Sequence, residues 1–176
     1  MRRSAAILAV LAAVTAACGG SSSTATFSDP GATFTFSYPK DFARDFVGVK
    51  REVEGRAPEF STNVGVNEAN VVIASEYGIK RPFESYQPAA FQSLVDSLVR
   101  TITRADGARI GSIGHGKLGS LPAYTYDIEG PGDTRSHVVI GFRGRKEYFV
   151  KCTWKPAQEA TIKSACDQVT TSFAVH

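Results

Sequence analysis

Between Arg109 and Trp154 the chain runs through four strand-like stretches joined by links too short to cross a sheet. The stretches are Arg109 to Leu118, Ala123 to Ile128, Ser136 to Phe142 and Glu147 to Trp154. The links are a turn at Pro122, then Glu129-Gly130-Pro131-Gly132-Asp133, then Arg143-Gly144-Arg145-Lys146, a hairpin connection with Gly inside it. Parallel neighbours need a crossover of a dozen or more residues, so these strands must pair antiparallel. In the second stretch Tyr124, Tyr126 and Ile128 share one face.

The flanking segments supply the helices. Phe91, Leu94, Val95, Leu98, Val99 and Ile102 recur with the helical period, which predicts a helix from Pro88, suited to a first helical position, to about Arg104. Asp106-Gly107 stops it. Pro156 opens a second helix carrying Ile162, Cys166, Val169 and Phe173 on one side. Upstream, Asp29-Pro30-Gly31 is a turn, and Phe34, Phe36 and Tyr38 alternate as a half-buried strand that Pro39-Lys40-Asp41 ends. Phe60, Val64 and Val66 read as one face of another strand, and Val71-Val72-Ile73 as a short buried one. Residues 43–58, charged and weakly patterned, read as a long loop or edge excursion. The fold class is α+β, an antiparallel sheet sandwiched with helices and without internal repeats.

The N-terminus places the chain in the cell. Met1-Arg2-Arg3 is a positive start and Ala5 to Val14 an unbroken apolar run, the first two regions of a secretory signal. The run falls short of the about 20 apolar residues a bilayer span needs. Ala16 and Ala17 directly precede Cys18, as in a bacterial lipobox, where a transferase alkylates the thiol and a peptidase requires small side chains. Thr15 stands where Leu or Val is usual. The bulky apolar residues expected after a twin-arginine pair are missing, so general secretion is expected. The predicted organisation is a lipoprotein signal peptide over 1–17, a lipidated Cys18 with a Ser/Thr-rich flexible tether over 18–26, and one globular domain over 27–176. Two acyl chains, at about 0.8 kcal/mol per buried CH₂, hold a protein at a membrane where one does not. The expected localisation is the extracytoplasmic face of the bacterial cell membrane.

Removing residues 1–17 lowers the formal charge from +3 to +1. No concentrated basic face of the kind a nucleic-acid binder needs is visible, and no nucleic-acid partner is expected. Lys50, Arg51 and Arg56 interleave with Glu52 and Glu54 as a solvated face. With Cys18 lipidated, Cys152 and Cys166 form an even pair in an oxidising compartment and are expected to be bonded; the alternative is two buried thiols acting as core residues.

Catalytic motifs fail on context. Gly114-His115-Gly116-Lys117-Leu118-Gly119 matches a dinucleotide pattern, and Gly111 to Lys117 a phosphate loop. A phosphate loop needs Ser or Thr after the Lys and a helix start, whereas Leu118 and then Pro122 follow. This is a glycine-rich strand or hairpin. There is no nucleophile elbow, and His115 and His137 are the only internal histidines. No His or Cys pair has metal-ligand spacing, so neither metal nor cofactor is expected. Tyr124, Tyr126, Tyr148 and Trp154, with Phe149, could line a ligand or partner groove, or form core beneath the helices.

Leu118-Gly119-Ser120-Leu121-Pro122-Ala123-Tyr124, then Tyr148 to Thr153, then Ala165-Cys166 to Ser172-Phe173 form one series. With Phe34-Thr35-Phe36-Ser37-Tyr38-Pro39 and Phe42, it resembles small bacterial lipoproteins with the Mog1/PsbP-like fold, including mycobacterial lipoproteins of the LpqN type. The resemblance covers most of residues 27–174, although 43–58 match no part of it. It implies an antiparallel sheet between helices, a non-catalytic accessory or binding role, and a Cys152–Cys166 bond. The leading expectation is therefore an anchored domain that binds another envelope component, a protein or a lipid. The rivals are a carrier of lipid or another small apolar ligand, which needs a large apolar pocket, and a hydrolase, which needs His115 or His137 against a carboxylate in a cleft. A partner-binding domain predicts an exposed apolar patch instead.

Overall fold

Two tight hairpins set the frame of the sheet. Strands β6 (Arg109–Leu118) and β7 (Leu121–Glu129) are joined by Gly119-Ser120, and β8 (Arg135–Arg143) and β9 (Lys146–Trp154) by Gly144-Arg145. Both glycines stand first in a two-residue turn, with φ of 58° and 56°. That is the left-handed region such hairpin turns assign to Gly. A computed structural model describes residues 23–49, 56–85 and 88–176. The expected signal peptide, Cys18, and Lys50, Arg51, Glu52 and Glu54 lie outside the described residues, as does the side chain of Ile102.

The remaining strands are β1 (Thr24–Phe27), β2 (Phe34–Pro39), β3 (Ala43–Arg44), β4 (Phe60–Asn67), β5 (Asn70–Gly78) and β10 (Ala174–Val175). A seven-stranded antiparallel sheet runs β3-β4-β5-β9-β8-β7-β6, and a small sheet runs β1-β2-β10. Helix α1 (Pro88–Ala105) covers one face of the large sheet through Phe91, Val95 and Val99, packed on Tyr126, Val138, Ile140, Phe142 and Phe149. The small sheet and α2 (Glu159–Ser172) cover the other, where Phe27, Phe34, Phe36 and Ile162 meet Val72, Val150 and Cys152. Each such buried aromatic or aliphatic side chain contributes about 1.5–3 kcal/mol.

Several expectations change. Strand β5 spans nine residues, because a strand covered on both faces carries no alternation to read; even Ser75 and Glu76 are buried. Val66 leaves the core at a β-bulge between Gly65 and Asn67 and is exposed. Leu94 is also exposed, since Phe91, Val95 and Val99 follow an i+4 row that carries Leu94 off the contact. Thr24–Thr26, expected as tether, belong to β1, paired with residues 37–39, so order begins ahead of residue 27. Within 43–58, β3 pairs at the sheet edge, and Phe46 and Val49 cover Val71 and Ile73. Arg56 is only partly solvated. Its guanidinium lies over the Tyr77 ring at 4.8 Å and bonds both carboxylate oxygens of buried Glu147 at 3.0 and 3.2 Å.

Candidate functional site

Pairing register brings chemistry together that chain order keeps apart. Across β6, β7, β8 and β9, Ser112, Asp127, His137 and Cys152 stand in one cross-strand row. A bulge at Gly111 inserts the extra residue that lets Ser112 meet Asp127. Asp127 therefore takes a hydrogen bond from the Ser112 hydroxyl at 2.5 Å and another from His137 Nδ1 at 2.7 Å. The row ends at the Cys152–Cys166 disulfide, which ties β9 to α2 with Cα atoms 5.9 Å apart. The expected bond is formed.

Asp127 and His137 of this row, with Cys166 across the disulfide, line a cleft of about 400 Å³ between the sheet and the flank of α2. Arg135 and Lys163 reach its wall and both meet Glu159, at 3.7 and 2.6 Å. Lys163 also lies over the Trp154 ring at 5.5 Å. The buried Trp154 indole N–H has no hydrogen-bond partner among the described residues. Burial pushes the Asp127 carboxyl up, but the hydrogen bonds from Ser112 and His137, with the charges of His137 and Lys163, hold it below the usual carboxylate range.

A hydrolytic triad places the imidazole between hydroxyl and carboxylate, so that the base removes the nucleophile's proton. Here the carboxylate stands in the middle. Ser112 donates a hydrogen bond to Asp127, His137 contacts the same carboxylate through Nδ1, and no hydrogen bond joins the imidazole to the Ser112 hydroxyl. With Asp127 more than half exposed, the group is a solvated hydrogen-bonding platform. The described residues contain no cluster of three or more metal-ligating side chains.

A second cleft, of about 310 Å³, opens beside α1 and is lined mainly by Ile79, Phe91, Leu94, Leu98 and Phe142. The paired Arg56 and Glu147 also line it. On the same side of the sheet, burial and then the Asp96 hydrogen bond push the Tyr126 phenol well above its ordinary range.

The four aromatic residues read from the sequence do not share a surface. Tyr124 and Tyr126 face α1, with Tyr126 fully buried. Tyr148 and Trp154 face the other layer, where the Tyr148 hydroxyl meets Thr33 Oγ1 at 3.1 Å. Strand alternation divides them, and only Trp154 reaches the polar cleft. His115 is exposed on β6, its ring 5.4 Å from that of Tyr124. Sequence reasoning missed Asp127 and Ser112, and the pairs Arg56–Glu147 and Lys146–Glu76. All four depend on register or on contacts between distant segments, which leave no local signal.

No protein-family model and no curated protein sequence matches the chain. Among solved structures it is similar to the cyanobacterial PsbP protein CyanoP of Synechocystis sp. PCC 6803. The TM-score is 0.62 at 16% identity, over 92% of this chain and 99% of that one. A protein of Bacteroides thetaiotaomicron VPI-5482 matches with a TM-score of 0.55 at 17% identity, over 86% of this chain and 48% of that one. The antiparallel sheet, its two covering helices and this likeness together make the domain one of PsbP-like fold.

Proposed function

We propose that the chain is an exported bacterial lipoprotein, held through lipid on Cys18 at the extracytoplasmic face of the cell membrane. Its domain is a non-catalytic accessory module that binds another envelope component. The observation that carries the non-catalytic reading is the wiring of the polar cleft. Among the described residues its histidine–carboxylate pair has no hydroxyl bonded to the imidazole, because Ser112 donates its hydrogen bond to Asp127 instead. The disulfide supports export, since such bonds persist in oxidising compartments. No described helix is long and apolar enough to cross a membrane, so a lipid would supply the attachment.

The test is crosslinking in intact cells, followed by capture of the protein under denaturing conditions, with Cys18→Ala as control. A defined envelope protein recovered with the wild type and lost with Cys18→Ala supports the reading; equal recovery with both overturns the role of the anchor. A second reading, carriage of a small apolar ligand, is favoured by the apolar cleft beside α1. Lipid co-purifying in stoichiometric amount, with no protein crosslink, would select it.

A further inference from the structure

The large sheet ends on one side in a two-residue strand, β3, and on the other in β6, ten residues long. Strand β6 pairs only with β7 and has no backbone partner on its outer side among the described residues. It contains no proline, and most of its residues are exposed. Natural sheets shorten, cover or interrupt such an edge, because its free N–H and C=O groups are a template for another strand. The bulge at Gly111 breaks this edge near its start, and from Ser112 to Leu118 it stays open for roughly 24 Å, at about 3.4 Å per residue.

The acidic neighbours of the strand on β7, Asp127 and Glu129, are engaged by Ser112, His137 and Arg109, which leaves exposed bases on its α1 side. Ile113, His115 and Lys117 alternate onto the α1 side of β6, and Ile113 is 43% exposed. Beside the start of the strand, a cleft of about 420 Å³ is lined by Arg100 and Arg104 of α1, with Arg109 and Ile110 of β6. Arg109 pairs with Glu129. Arg100, Arg104 and Lys117 form no salt bridge among the described residues, and all three are exposed. The described chain begins just ahead of β1, in the layer on the opposite side of the large sheet, so the proposed anchor joins the domain there. The bases beside the edge therefore stand on the face of the sheet away from the proposed anchor, which favours a protein over the membrane as its occupant.

We infer that β6 is a strand-addition site for an extended acidic segment of a partner protein. The segment pairs antiparallel, the slightly more stable arrangement. Its main chain supplies the ladder, and alternate side chains supply specificity. Read from its N-terminus, it sets a carboxylate against Lys117, a second polar or acidic group against His115 and a β-branched residue against Ile113. Further carboxylates then reach the arginine cleft. This deepens the binding-module reading and rests on it.

The experiment uses the full chain in detergent and a labelled peptide, Glu-Thr-Glu-Thr-Val-Thr-Glu-Thr-Glu, followed by fluorescence anisotropy and hydrogen exchange. The expected result is saturable binding that slows exchange of β6 amides. Replacing every Glu of the peptide by Lys, or reversing the site with Arg104→Glu and Lys117→Glu, should each weaken binding about tenfold or more. A peptide N-methylated at alternate residues keeps its charges but loses ladder donors, and it should not bind. Absence of binding at millimolar peptide overturns the proposal, as does equal binding of the N-methylated peptide or protection confined to other strands. Anionic phosphatidylglycerol vesicles are the alternative probe; if they protect β6 and the peptide does not, the edge is a membrane contact. Failure here would leave the crosslinking result untouched, because that result does not depend on which surface binds.

Discussion

Gly119 and Gly144 offer a matched experiment within one molecule. Each is the first residue of a two-residue hairpin turn, and each has nearly the same positive φ. A Cβ on Gly144 would meet nothing within 4 Å, whereas one on Gly119 would lie 1.7 Å from the carbonyl oxygen of Phe173. Gly144→Ala therefore meets only the left-handed backbone cost, partly offset by a stiffer unfolded chain, a net loss of about 1 kcal/mol. Gly119→Ala must also displace the C-terminal end of α2. That sacrifices the Gly119 N–H bond to the Thr170 carbonyl, 2.7 Å long, worth about 1 kcal/mol. It also forces Phe173 off its stack with Phe34, whose ring centroid lies 5.1 Å away, an overpacking loss of about 1–3 kcal/mol. The total for Gly119→Ala is about 3–5 kcal/mol. In a domain of this size the two variants should melt about 3 °C and about 10 °C or more below wild type, with urea midpoints ordered the same way. Equal losses for both, within about 1 kcal/mol, would refute the close approach of the β6–β7 turn to Phe173.

Other measurements bear on the tie between the layers and on the buried charges. Replacing Cys152 and Cys166 together by Ala opens a loop with a sequence separation of 14 and should lower urea stability by about 3 kcal/mol; a loss well under 1 kcal/mol would contradict the bond's role. Lys146 bridges Glu59 and the buried Glu76; the hydrogen bond it donates to Glu59 raises its pKa most, burial opposes this, and the bond it donates to Glu76 with the charges of both carboxylates adds to the rise. Its contribution should therefore be complete below the ordinary lysine value of about 10.4 and decline as pH rises through the higher folded value. Lys146→Met should remove that alkaline decline and cost about 3 kcal/mol at neutral pH, because Glu76 stays buried without its cation. For Asp127, whose pKa is held low in the folded state, the contribution is present above about 3.9 and lost as pH falls through the folded value. Asp127→Asn should flatten the acid limb of urea midpoints measured across acidic pH.

What the sequence revealed and what it concealed divide by range of interaction. The alternation of Phe34, Phe36 and Tyr38, the i+4 row of α1 and Gly144 of the second hairpin act over a few residues and are legible locally; the first hairpin turns at Gly119-Ser120, ahead of the Pro122 that the sequence suggests, which sits inside β7 opposite Lys117. Strand β5 was underestimated because its neighbours bury both faces, and its buried Glu76 reads locally as a surface residue; its partners Thr33 and Lys146 are remote in sequence. The polar cleft is further out of reach. Asp127 meets His137 and Ser112 only when three strands take one register, and a single bulge residue decides which β6 side chain arrives. Of the two roles the sequence allows the aromatic residues, a shared groove or core beneath the helices, strand alternation fits the second: it sends Tyr124 and Tyr126 to one layer and Tyr148 and Trp154 to the other.

The anchor at Cys18 is the claim on which location and role both depend, and intact-mass analysis of the membrane-extracted protein tests it most directly. The account predicts a mature chain that begins at Cys18 and carries diacylglyceryl and acyl mass on that residue, with the Cys18→Ala form recovered free of lipid and outside the membrane fraction. A chain cleaved elsewhere, or one that retains residues 1–17 with an unmodified Cys18 thiol, would contradict it.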